Sequence, residues 1–307
     1  MMNNIIEIKS KKSKALINLS RGANCISFVC DELGADVLRT PDYDNLDNPY
    51  LYGMPIIFPA NRISEGKFEF GGQLYSFPIN EPATGCHLHG VLHETEFKLE
   101  EQIESSVKCC LSFNARDGFQ HDFDVVITYE ITDYSLKHTT QIINKSALEM
   151  PCFLGFHTTF NLPFVEDSCA ENCRVYAELG DEIERNMANY LPTGVILSPD
   201  DITKSFADGS FKPYENILSR HYKASGNGAI ELYDVQKQVK IIYKNDNKYN
   251  FRLFYNGGAK DFICLEPMNC MANCANSPFD RKYAGFSYIK PYETETFNSE
   301  IIISRMN

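Results

Sequence analysis

Phe123-Asp124-Val125-Val126-Ile127-Thr128-Tyr129-Glu130 and, after a short connection, Ser135-Leu136-Lys137-His138-Thr139-Thr140-Gln141-Ile142 carry the reading of the fold. Phe123, Val125, Ile127 and Tyr129 alternate with Asp124, Val126, Thr128 and Glu130. Leu136, His138, Thr140 and Ile142 alternate with Ser135, Lys137, Thr139 and Gln141. Side chains on a strand point to opposite faces in turn, so period two predicts strands with one face buried. Lys67-Phe68-Glu69-Phe70, Gly71-Gly72 and Gln73-Leu74-Tyr75-Ser76-Phe77 read as a hairpin. A tight two-residue turn needs positive φ, which Gly-Gly supplies. Residues 238–244, 249–256, 261–266 and 294–304 read as further strands, and no long segment keeps the 3.6-residue apolar period of a helix. Strands continue on both sides of every Pro/Gly cluster, so no linker is visible. The expectation is an all-β protein, a large antiparallel β-sandwich in one domain spanning residues 1–307, with much of the chemistry on its loops.

The chain has 307 residues, of which 43% are hydrophobic and 23% charged. That composition supports a sizeable core. The formal net charge of −12, from 41 acids and 29 bases, argues against a polyanion such as nucleic acid as partner. Met1-Met2-Asn3-Asn4-Ile5-Ile6-Glu7 lacks the basic and apolar regions of a secretory signal. No run approaches the roughly 18 apolar residues of a membrane span. A cytoplasmic protein is expected, with no membrane partner. Eleven cysteines without a signal read as free thiols. Cys109, Cys110, Cys152 and Cys264 sit in apolar runs. Cys169 with Cys173, and Cys270 with Cys274, form two C-x3-C pairs that a four-thiolate zinc site would use, though without zinc-ribbon spacing.

Chemistry concentrates in four places. Gly155-Phe156-His157-Thr158-Thr159-Phe160-Asn161-Leu162 and Phe262-Ile263-Cys264-Leu265-Glu266-Pro267 each set one titratable group in an apolar run. Burying such a group is costly without a partner or a task. Together they would make an acid/base pair near neutral pH. Arg62, in Asn61-Arg62-Ile63, offers a rigid charged fork to sugar hydroxyls or a carboxylate, or else forms a structural salt bridge. Cys86-His87-Leu88-His89-Gly90-Val91-Leu92-His93-Glu94 holds three histidines. His87, His89 and Glu94 fit the first metal motif of cupins, but the second motif fails in its middle. No Gly-rich phosphate loop and no G-x-S-x-G is present.

The order of these elements is what gives a resemblance. Asn61-Arg62-Ile63, Gly66-Lys67-Phe68, Gly72, Tyr75, Asn80, Leu88-His89-Gly90, His157 to Leu162, Leu191-Pro192-Thr193-Gly194 and Glu266 follow one another along nearly the whole chain. In this the sequence resembles the aldose 1-epimerase (galactose mutarotase) family. The resemblance implies a β-sandwich with a sugar cleft on its concave face, and no cofactor or metal. It implies His157 as catalytic acid, Glu266 as catalytic base, and Arg62 and His89 as substrate-binding residues. The partner would be a small sugar, and the chain a monomer or homodimer. Two departures stand out. Where the family commonly carries a sugar-binding Asp, this chain reads Ser219-Arg220-His221. Where Pro-Tyr is common, it has Thr158-Thr159. Arg220 or His221 would then favour an anionic or differently hydroxylated sugar. Without Trp, any stacking platform is Phe or Tyr. The competing readings are a non-catalytic sugar-binding protein of the same fold and a cupin-like metalloenzyme.

Overall fold

The computed structural model describes residues 4–42, 48–116 and 118–306. Two eight-stranded antiparallel sheets dominate it. The first runs Lys98–Ile103, Ser106–Phe113, Phe123–Ile131, Ser135–Asn144, Thr294–Arg305, Val239–Asn245, Ile230–Asp234 and Cys173–Ala177, in that spatial order. The alternation that opened the reading is realised here: Phe123, Val125, Ile127, Tyr129 and Ile131 are all buried. The 67–77 hairpin forms with Gly71 and Gly72 at φ of 58° and 76°, both positive as a type I′ turn requires. A smaller sheet, Ile5–Lys9, Ser13–Asn18, Asn24–Cys30 and Ala35–Asp36, flanks these layers.

The second large sheet carries the cleft. Its strands in chain order are Ile56–Ile57 (β1), Gly155–Phe156 (β2), Thr159–Asn161 (β3), Leu179–Arg185 (β4), Pro192–Leu197 (β5), Ser219–Ala224 (β6), Phe251–Tyr255 (β7) and Phe262–Met268 (β8). In space they run β5, β4, β6, β7, β8, β2, β1, with β3 also paired to β8. All seven residues of β8 are buried, which is why its sequence is a continuous apolar run rather than an alternating one. The two large sheets pack face to face. His138 meets the Phe156 ring edge-on at 4.4 Å, and Phe160 lies against Tyr243 at 5.5 Å.

Among the described residues there is one α-helix, Asp201–Asp208, which the strand patterns of the sequence do not anticipate. It is only eight residues long, too short to show periodicity, and both of its ends are capped. Asp200 accepts a hydrogen bond from the Thr203 amide at its start, and Gly209 closes it at φ 74°. Among the described residues no helix is long and apolar enough to cross a membrane.

Candidate active site

Strand register brings His157 and Glu266 together. Gly155 pairs with Met268 and Thr159 with Cys264, so His157, the first of the two residues in the gap between β2 and β3, comes to Glu266. Gly155 permits this approach, because a Cβ there would meet Met268 Cγ at 2.6 Å. The His157 amide donates to Pro55 O at 3.0 Å. His157 Nε2 lies 3.2 Å from Glu266 Oε1. The two side chains are not aligned as a hydrogen bond, and His157 Nδ1 and Glu266 Oε1 have no other protein partner.

Burial sets the protonation of this pair. His157 is 7% exposed and Glu266 1%. Desolvation disfavours the charged form of each, so His157 is pulled down to about 4 and Glu266 pushed up to about 8. The guanidinium groups of Arg185 and then Arg62 oppose the rise of Glu266. Between these limits the pair holds one proton, with the carboxyl as its resting place. One proton shared by two groups is the inventory needed to protonate one oxygen while deprotonating another.

Arg62 and His89 come to the same cleft, which has a volume of about 510 Å³. Arg62 pairs with Leu88 across a two-stranded ribbon, and both of its readings survive. Its Nε and Nη2 donate to the two oxygens of Glu81 at 2.7 Å each, while the guanidinium lies over the Tyr190 ring at 4.6 Å. Burial raises Glu81, but the Arg62 fork and the Thr84 hydroxyl outweigh it and leave the carboxyl below its usual range. The Asn61 amide donates to His89 Nδ1 at 3.3 Å. In the neutral ring the His89 proton is therefore on Nε2. Burial, then the nearby His157, keeps His89 well below its ordinary value and hence neutral.

Three residues of the cleft were missed. Tyr50 packs its ring on His89 at 4.7 Å, His93 at 4.6 Å and His157 at 6.0 Å. The Tyr190 ring is approached by the guanidinium groups of Arg62 and Arg185. Arg185, at the end of β4, donates through Nη2 to Ser219 O at 2.6 Å and Oγ at 2.9 Å. Alternation gives no signal for Arg185, since two residues on from core-facing Ile183 it would be read as another core position. A register shift between the two re-aims the strand there. Tyr50, Tyr190 and Tyr255 line the cleft, so of the Phe or Tyr expected in the absence of Trp it is tyrosine that supplies the aromatic surface.

Other expectations are corrected. Arg220 does not serve the cleft. It pairs with Asp200 at 2.6 Å and Glu182 at 3.1 Å, tying the helix to the sheet. His221 is fully buried against Phe251. Ser219 lines the cleft instead. Thr158 bonds Tyr243 Oη at 3.0 Å and Thr159 contacts Cys264 Sγ at 3.3 Å, so both are core links. The cupin-like donors form no cluster among the described residues: His87 Nδ1 bonds Pro78 O, His89 lines the cleft, and Glu94 lies 3.9 Å from both Arg21 and His93. Among the described residues the one cluster with metal-ligand spacing is His157, Cys264 and Glu266, within 4.8 Å of one another, and a metal there would occupy the acid/base pair itself. The two C-x3-C pairs form no such cluster among those residues. Cys169 is exposed, whereas Cys173, Cys270 and Cys274 are buried.

Comparison with known proteins bears on the family and the fold. A family model described as aldose 1-epimerase matches residues 4–284. The chromosomal LacX protein of Lactococcus lactis subsp. lactis is 35% identical over 259 residues, covering 76% of this chain and 82% of that protein. The crystal structure of a galactose mutarotase-like protein from Clostridium acetobutylicum superimposes with a TM-score of 0.91 at 28% identity, covering 98% of this chain and 95% of the other. Galactose 1-epimerase from Lactobacillus acidophilus NCFM shares the fold, with a TM-score of 0.75 at 15% identity over 99% and 95% of the two chains.

Proposed function

The chain belongs to the aldose 1-epimerase family, and from that premise we propose that it interconverts the α and β anomers of a hexose or related sugar. His157 and Glu266 are its proton-transfer pair, and Arg62 and His89 hold the sugar. The observation that carries this reading is the buried pair 3.2 Å apart with opposed shifts. A protein that only bound sugar would have no use for two desolvated groups holding one labile proton.

The reaction runs from the tautomer in which that proton is on the imidazole. Glu266 takes the proton from the anomeric O1 hydroxyl while His157 gives its proton to the ring oxygen O5. The C1–O5 bond breaks and C1 becomes a free aldehyde. Rotation about C1–C2 presents the other face. O5 then attacks C1, His157 recovers the O5 proton, and Glu266 returns a proton to O1. Nothing is consumed, and the pair ends in its starting state. Arg185 favours the carboxylate form of Glu266 that begins the cycle. The His89 Nε2–H and the Arg62 donors left free by Glu81 suit sugar hydroxyls.

Polarimetry on freshly dissolved α-glucose and α-galactose, extended to other aldoses and sugar phosphates, tests the proposal. Acceleration with at least one sugar is expected. None with any of them would leave a non-catalytic sugar-binding protein as the better reading.

A further inference from the structure

The two arginines of the cleft are unequally matched. Arg62 and Arg185 approach the same Tyr190 ring, with guanidinium carbons 4.6 Å and 5.7 Å from its centroid. Arg62 is neutralised by a bidentate carboxylate, Glu81. Arg185 is 9% exposed, yet its hydrogen bonds go only to the neutral oxygens of Ser219. No carboxylate of the described residues lies within 4.0 Å of it, and its Nε and Nη1 groups make no hydrogen bond among them. A buried cation with no carboxylate in contact is expensive and is kept when a ligand completes it. The one other acid lining the cleft is Glu266, and burial favours its neutral form. With both histidines neutral, the cleft presents one unmatched positive charge in a protein of net charge −12.

We propose that Arg185 recognises an anionic group on the substrate, so that the sugar turned over by this cleft carries a phosphate ester or a carboxylate. A guanidinium with a free edge is shaped for either, through paired charge-assisted N–H···O bonds. The proposal rests on the epimerase reading for the reaction, but not for the charge preference of the cleft.

Two measurements on the full-length protein test it. NMR exchange gives kcat/KM for anomer interconversion of glucose and galactose, their 6-phosphates, and glucuronate and galacturonate, at pH 7 and low salt. Calorimetry gives the affinity for the same sugars. At least one anionic sugar should exceed its neutral parent by about tenfold or more, a difference that shrinks with salt. The phosphate and uronate arms identify which anion is read. Arg185→Gln should raise KM for the anionic sugar and bring the ratio close to one, and Arg185→Lys should restore part of it. Circular dichroism checks that both variants fold. A wild-type preference for the neutral sugar would overturn the proposal. So would equal losses on both classes in Arg185→Gln with a common shift of their pH profiles, which would make Arg185 a residue that serves only Glu266. Charge-selective binding lost in Arg185→Gln, with no interconversion of any sugar, refutes the epimerase reading alone. Interconversion without charge preference refutes this proposal alone.

Discussion

Glu266 and His157 contribute through their shared proton, and each can be removed without changing shape. Glu266→Gln should keep the fold by circular dichroism and lose roughly 100- to 10,000-fold in turnover. His157→Asn should lose a similar factor. The double variant should be far less than additively worse, because the two groups form one relay. Near-full mutarotation in folded Glu266→Gln would remove Glu266 from the mechanism. The wild-type rate should be bell-shaped in pH, falling as the pair gains its second proton near pH 4 and as it loses its only one near pH 8. Arg62 belongs to binding, so Arg62→Ala should raise KM more than it lowers kcat. The same change in a Glu81→Ala background separates the sugar contact from the cost of orphaning the carboxylate. Collapse of turnover at unchanged KM would mean that Arg62 acts in the chemical step.

Elements explain both what the sequence revealed and what it hid. The outer-sheet strands were legible because each buries one face, so period two is written in the residues. β8 was legible as an apolar run, and Glu266 as the polar residue that run had to justify. Arg185 was hidden because its position follows from a register shift, a relation between β4 and β5 that neither strand encodes alone. Tyr50 was hidden because it sits on a 3₁₀ turn, Pro49–Leu51, that has no periodicity to read. Arg220 misled because its partner Asp200 becomes a neighbour only once the helix forms. The glycines test how tightly these elements are held. Gly90, next to His89, sits at φ 65°, and a Cβ there would lie 1.8 Å from Phe58 O. Gly71 is also at positive φ, but nothing lies within 4 Å of its missing Cβ. Gly71→Ala should cost about 1 kcal/mol in urea unfolding, the strain of the turn alone. Gly90→Ala should cost at least about 2–3 kcal/mol more, since backbone must also move, and should raise KM by displacing His89. Equal costs at the two sites would show that the Phe58 segment yields freely.

At the scale of the molecule, burial of histidine governs the response to acid. All seven histidines are buried, and burial is the leading cause holding each below its ordinary value of 6.5. His93 and His157 are brought to about 4, His138 and His221 to about 3, and His89 well down. Above pH 6.5 the folded and unfolded chains both keep these rings neutral, so they have no effect on stability. Below it the unfolded chain takes up protons that the folded chain refuses, so stability falls with pH. Glu266 acts in the opposite sense. Its folded form holds a proton between about pH 4.5 and 8 that the unfolded chain has released, so acid favours the fold there. Burial opposes protonation at all seven histidines and favours it at one glutamate, so below pH 6.5 the net effect of acid is a loss of stability. The urea midpoint should therefore rise slightly from pH 7.5 to 6.5, where Glu266 alone contributes, and fall from pH 6.5 toward pH 5 as the histidines outweigh it. In Glu266→Gln the drop should be steeper, because the one opposing proton is gone, and the variant should exceed wild type in stability at pH 8, where the buried carboxylate is being forced to ionise. A midpoint that stays constant or rises between pH 6.5 and 5 would mean that these rings reach their protons without unfolding, and that the core around them opens far more readily than its packing allows.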